Sequence, residues 1–149
     1  MRILMVCLGN ICRSPLAEGI LAHKTQHLNI KVDSAGTAGY HIGKLPDERS
    51  IEIAEKYNID LTKQRARQFS RADFDDFDII YAMDTNNYTH LISLANNETE
   101  RNKVRLILNE VNPEKFESVP DPYHGRDDGF QNIYIMLNDA CNKIISQID

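Results

Sequence analysis

The chain has no tryptophan, only three cysteines, and no apolar stretch near the roughly 20 residues that a membrane-spanning helix needs. A small, odd cysteine count excludes the disulfide framework of a secreted mini-domain. The first seven residues, MRILMVC, carry one arginine and an apolar run too short for a secretory signal. A cytoplasmic location and no membrane partner are therefore expected. In that compartment the sequons at Asn87 and Asn97 are chance matches. Positive charge is not in surplus either: 17 lysines and arginines against 22 aspartates and glutamates leave a net charge of -5. That balance argues against a nucleic-acid partner, although it would hide a local basic rim around an anion site. Internal repeats and low-complexity tracts are also missing.

What remains is the composition of one soluble globular domain, spanning 1–149, with 42% hydrophobic and 26% charged residues. Short apolar, β-branched runs at 3–6, 30–32, 79–81 and 104–108 predict four buried strands. Between and after them, apolar residues recur at helical spacing: Leu16, Ile20 and Leu21; Ile51, Ile53, Ala54 and Tyr57; Tyr88, Leu91, Ile92 and Ala95; Ile133, Leu137, Ala140, Ile144 and Ile148. Alternation of strand and helix predicts an α/β fold, a doubly wound four-stranded parallel sheet with helices on both faces. Ligands of such sheets bind at the carboxyl ends of the strands. Two stretches rich in glycine and proline, 36–46 and 119–129, read as loops, where binding residues concentrate.

One strand end carries chemistry. After the run 3–6 come Cys7, Leu8, Gly9, Asn10, Ile11, Cys12, Arg13 and Ser14, and a helical segment follows from Pro15. A loop between a strand and a helix N-terminus aims backbone N–H groups at one point and adds the positive end of the helix dipole. Phosphate or another oxyanion can bind there, and a cysteine in such a field is a reactive one. Arg13 offers a planar fork to two phosphate oxygens. A phosphoryl group above Cys7 needs a proton donor for its leaving oxygen, and Asp121, followed by Pro122 and Tyr123 in the second loop, is the candidate.

CLGNICRSP at 7–15, DSAGT at 33–37, PDER at 46–49, Met83 with Asp84, DPY at 121–123 and the DAC of the last helix resemble the low-molecular-weight protein tyrosine phosphatases nearly end to end. The resemblance implies a phosphocysteine mechanism that uses no metal and no cofactor. Cys7 would be the nucleophile, Arg13 the phosphate and transition-state binder, and Asp121 the acid and then the base. Tyrosine-phosphorylated proteins would be the partners. Leu8, Gly9, Asn10, Ile11, Cys12 and Ser14 would form the binding loop, with Ser14 bonded to the thiolate and Asn10 and Ser34 bracing. Tyr40 and Tyr123 would wall the substrate ring. Two departures stand out: His124 replaces a second tyrosine common in the family, and Tyr40 replaces a common tryptophan.

Plainer roles compete with some of these. Cys12 either fills space or forms a reversible disulfide with Cys7, as in relatives. Cys141 lies on an apolar helix face and reads as core. Asp84 can simply cap a helix. His23 and His27 are four apart but lack a third ligand with recognisable spacing, so no metal site is expected. Arg65, Arg67 and Arg71 read as a solvated face. Three other functions share parts of the pattern. A thiol-dependent arsenate reductase needs a further cysteine pair, and only Cys141 lies downstream. A phosphoarginine phosphatase of this family carries threonine where this chain has Ile11. A non-enzymatic cysteine phosphocarrier needs neither Arg13 nor Asp121.

Overall fold

Ile3, Leu4, Met5 and Val6 are wholly buried, and alternate residues of this run enter different apolar clusters. A strand can do this only at the centre of a covered sheet, because successive side chains point to opposite faces. The computed structural model, which describes residues 1–125 and 127–148, places the run in β1 (Arg2–Cys7). It pairs in parallel with β2 (Lys31–Gly36) on one side and β3 (Ile79–Ala82) on the other, and β4 (Val104–Leu106) extends the sheet beyond β3. The spatial order is β2-β1-β3-β4, all parallel.

One face is covered by α1 (Arg13–Lys24), α2 (Glu48–Glu55) and the long α6 (Asp127–Ile148). Ile3, Met5 and Tyr81 pack there against Leu16, Ile20, Ile53, Leu137 and Ile144. The other face takes Leu4, Val6, Ile80 and Ala82, packed with Phe74 of α3 (Ala72–Asp76) and Leu91 of α4 (Thr85–Leu94). A further short helix, α5 (Glu98–Lys103), leads into β4 and buries none of its residues. The expected architecture is therefore present, with helices on both faces. No described helix is long and apolar enough to cross a membrane.

Several boundaries differ from the sequence expectation. The second strand starts at Lys31 and runs on through Asp33, Ser34 and Ala35 to Gly36 rather than ending at residue 32. The fourth stops at Leu106, and Ile107–Glu110 turn into a 3-10 helix although the apolar run continues. The loop expected at 119–129 overlaps α6, which already includes Gly129. Arg126 of that loop and the domain bound at Asp149 lie outside the described residues.

The chain leaves β1 for β2 on one side and reaches β3 on the other, so the order reverses at the carboxyl end of β1. That crevice is where ligands of doubly wound sheets bind, and Cys7 is the last residue of the strand. Gly36 closes the crevice from the β2 side. Its N–H donates to Arg67 O at 2.8 Å and its carbonyl accepts from Phe69 N at 2.7 Å. A Cβ there would lie 2.7 Å from Leu8 O and 3.1 Å from the carbonyl carbon of Gly9, both backbone atoms of the loop. Gly36→Ala should cost about 1–3 kcal/mol by overpacking and weaken phosphate binding, read by urea unfolding and phosphate inhibition. Parent-like values in both would remove the close approach as a constraint.

Candidate active site

Asn10 bends the loop after β1 with a left-handed backbone, φ +58°, a conformation that asparagine tolerates better than most residues. Its amide is fully committed. Oδ1 accepts Arg67 N–H at 3.0 Å, which fixes the orientation of the group, and Nδ2 donates to Ser14 Oγ at 2.8 Å and Ser34 Oγ at 3.0 Å. Ser14 Oγ lies 3.0 Å from Cys7 Sγ. Since Asn10 already donates to that oxygen, the serine proton is free to point at sulfur. The loop backbone is tied down as well: Thr37 N and Ala38 N donate to Cys7 O and Leu8 O, both at 2.9 Å, and Asp47 N donates to Ile11 O at 2.8 Å.

Arg13 opens α1 and is 2% exposed. Nη1 donates to Asp84 Oδ2 at 2.7 Å and Val119 O at 2.9 Å, while Nη2 stands 3.7 Å from Asp121 Oδ2. Burial works against its charge, but Cys7, Asp84 and Asp121 outweigh burial and hold the guanidinium protonated. Arg13 Nε is buried with no hydrogen-bond partner among the described residues. A buried donor of this kind is costly unless a ligand meets it. Asp84 also caps α4 by accepting Asn87 N–H at 2.7 Å, so the cap and the arginine anchor are one carboxylate.

A cleft of about 210 Å³ opens above the sulfur, lined by Cys7, Leu8, Gly9, Ile11, Cys12, Arg13, Tyr40, His41, Asp121, Tyr123 and His124. The cleft thus unites Cys7, Arg13 and Asp121 with six of the expected binding residues. Asn10 and Ser14 are elsewhere: both are buried behind the loop, at 2% and 0% exposure, and brace it from within. Tyr40 is 73% exposed and stands at the rim rather than forming a wall by itself. His41 lies between the two tyrosines, with ring centroids 6.4 Å from Tyr40 and 6.1 Å from Tyr123, and its ring packs on Gly9. His41 and His124 are lining residues that the sequence reading did not select. Their position beside the two tyrosines was the available signal.

The remaining thiols differ from Cys7 in setting. Burial, with the nearby negative charges of Asp47, Cys7 and Asp121, pushes the Cys12 thiol well above its ordinary value. Burial likewise pushes Cys141 up to about 12. All three cysteines are unbridged. Beneath the loop, Ser34 Oγ donates to Glu18 Oε1 at 2.6 Å. Burial and the neighbouring Asp33 raise the Glu18 carboxyl to about 7, against the lowering effects of Ser34 and Arg67.

A sulfur at the switch point of a parallel sheet, under a guanidinium with an unmet donor, defines the class: an α/β protein built to hold an oxyanion against a thiol. The sequence profile of the family described as "Low molecular weight phosphotyrosine protein phosphatase" matches residues 2–149. A phosphatase of that name from Schizosaccharomyces pombe is 38% identical over 99% of this chain and 96% of its own length. Among solved structures, an Entamoeba histolytica protein tyrosine phosphatase with Hepes in its active site superposes with a TM-score of 0.92 at 36% identity, covering 99% of this chain and 96% of the other. The Drosophila arginine phosphatase superposes equally well, with a TM-score of 0.92 at 31% identity over 100% and 98% of the two chains. The chain belongs to the low molecular weight phosphotyrosine protein phosphatase family and is a cysteine-dependent phosphatase.

Glu18 gives a pH test of the buried network. The folded chain keeps its proton up to a pH of about 7, whereas an ordinary glutamate releases it near 4.5. The folded state therefore binds more protons across that window, and this group's contribution makes stability fall as pH rises through it. Glu18→Gln removes the fall. In urea unfolding from pH 4.5 to 7, the variant should gain on the parent steadily, by no more than about 3 kcal/mol in all. A pH-independent difference between the two would contradict the buried carboxyl.

Proposed function

We propose that this chain hydrolyses phosphotyrosine in proteins by way of a phosphocysteine. The observation that carries the reading is Cys7 Sγ at the base of a cleft that also holds Arg13 and Asp121, with Ser14 Oγ 3.0 Å from the sulfur. In the first step the Cys7 thiolate attacks phosphorus while Asp121 gives its proton to the departing phenol oxygen: an S–P bond forms and the P–O bond breaks. In the second, Asp121, now a carboxylate, takes a proton from water as the water oxygen attacks phosphorus. The S–P bond then breaks, releasing phosphate and the thiolate. Arg13, with the amides of Leu8, Gly9, Asn10, Ile11 and Cys12 at the start of α1, would hold the oxygens as charge shifts onto them. Ser14, held as an acceptor by Asn10, would donate to the thiolate each time it is regenerated. No metal or cofactor enters either step. Unbridged cysteines, one of them the reacting group, suit a reducing compartment such as the cytoplasm.

The site depth supports an aryl phosphate over phosphoserine. Cys7 is 2% exposed, whereas Tyr123 and Tyr40 stand 39% and 73% exposed at the mouth, so a phosphate must be carried inward on a long side chain. The likeness to an arginine phosphatase supports a second reading, since phosphoarginine is also long. Ile11 bears on that choice: it presents a methyl-bearing wall to the cleft, which suits a flat ring better than a guanidinium.

Hydrolysis of para-nitrophenyl phosphate with a chelator present should proceed undiminished, vanish in Cys7→Ser, and fall about 100-fold or more in Asp121→Ala. Turnover surviving in Cys7→Ser would sink the mechanism. Offered phosphotyrosine, phosphoserine and phosphoarginine peptides side by side, the enzyme should prefer the first. A preference for phosphoarginine would reverse the Ile11 argument.

A further inference from the structure

Asp121 sits on a loop of irregular backbone and is 46% exposed at its side chain, yet a general acid must be held to within a fraction of an ångström of its target. The loop's base is tied just past β3, where Val119 N donates to Met83 O at 2.8 Å, but the part that carries the acid is held further on. Asp121 Oδ1 accepts Tyr123 N–H at 3.1 Å, and the carbonyl of the same Tyr123 accepts Arg49 Nη2 at 2.8 Å. Arg49 Nη1 reaches Gly125 O at 3.3 Å, at the end of the turn closed by Gly125 N to Pro122 O. The guanidinium is itself fixed from behind. Its Nε and Nη2 bond the two oxygens of Asp47, each at 3.0 Å, and its flat face lies 4.6 Å from the Phe130 ring centre.

The other end of this brace touches the nucleophile loop. Asp47 caps α2 by accepting Arg49 N–H at 2.9 Å, and its own N–H donates to Ile11 O at 2.8 Å. Ser50 in the first turn of the same helix donates to Cys12 O at 3.2 Å. A continuous line of hydrogen bonds thus runs from Ile11 and Cys12, through Asp47 and Arg49, to Tyr123 and Asp121. We propose that Arg49 is a positioning residue that sets the general-acid loop at its working distance from the Cys7 loop. The proposal rests on the acid role of Asp121. Only arginine fits the position, because its planar fork bonds a carboxylate with one edge and two carbonyls with the others, and a lysine ammonium cannot span them.

A misplaced acid matters in proportion to how much the leaving group needs a proton. Para-nitrophenolate, the weaker base, needs that proton less than phenolate, which resembles the tyrosine oxygen. With Arg49→Met, kcat/KM should therefore fall about tenfold on phenyl phosphate and about twofold or less on para-nitrophenyl phosphate. Inhibition by inorganic phosphate should stay within about twofold of the parent. Asp121→Asn run alongside should show the same bias, more strongly. Arg49→Lys keeps charge and stem but loses the fork, so it should retain most of the defect and provides the test should Arg49→Met fold poorly. Equal losses on both substrates, phosphate inhibition weakened in step with turnover, or full recovery in Arg49→Lys would overturn the positioning role while leaving Asp121 as the acid. An unbiased loss in Asp121→Asn would overturn the acid assignment and the role of Arg49 with it.

Discussion

The amide of Asn10 is the point on which this site turns. Every donor and acceptor it owns is engaged, and each engagement constrains a different element: Arg67 beyond β2, Ser34 within β2, and Ser14 in the first turn of α1. The left-handed backbone that makes this reach possible carries a strain that L-residues normally avoid. Three hydrogen bonds, the two to the serines buried, offset it. Because Asn10 donates to Ser14, the Ser14 proton is left for sulfur, so the local environment of the thiol follows from a side chain buried behind the loop. Arg67 is in turn held by Asp33 and Asp73, which extends the same support to the far side of β2.

The sheet and the loop impose on each other. β1 must be apolar on both faces to sit between β2 and β3, and its last residue then lies at the reversal of strand order, where it lines the cleft. The same geometry brings β2 alongside the loop and leaves no room for a side chain at Gly36. This explains why the second strand was only half legible in the sequence. Among residues 33–36 Ala35 enters the core, but Ser34 and Gly36 serve the loop and Asp33 pairs with Arg67, so the stretch lacks the apolar run that marks a buried strand. Ile107 and Leu108 mislead in the opposite direction: they are buried and apolar, yet belong to a 3-10 turn, and an apolar run alone does not distinguish the two. The helices α3 and α5 are too short and too polar to show a period at all.

In the site, legibility tracked sequence distance. Cys7 to Ser14 form one contiguous strand-loop-helix unit whose chemistry can be argued from local geometry, and the sequence names each of its residues. Asp121 was reached through the chemical need for a proton donor and the DPY pattern. The parts that depend on tertiary contacts were opaque: His41 against Gly9, Glu18 beneath Ser34, and the double duty of Asp84. Arg49 was visible only as a letter in a motif, because its partners Tyr123 and Gly125 lie more than 70 residues away.

Two carboxylates face Arg13, and their difference separates their roles. Asp84 is 19% exposed, 2.7 Å from the guanidinium and bonded to a helix N-terminus, so one carboxylate serves an ion pair and a cap together. Its place is therefore fixed from two sides. Asp121 is 46% exposed, stands off at 3.7 Å, and among the described residues takes one backbone N–H. Arg49 holds the same loop through the carbonyls of Tyr123 and Gly125 rather than through this carboxyl. On the proposed mechanism Asp121 changes charge twice per turnover, and such a group has to be placed by its neighbours and not serve as their anchor. The division between Asp84 and Asp121 meets that requirement: the closer arginine contact belongs to the anchored aspartate and the looser one to the aspartate proposed as the acid.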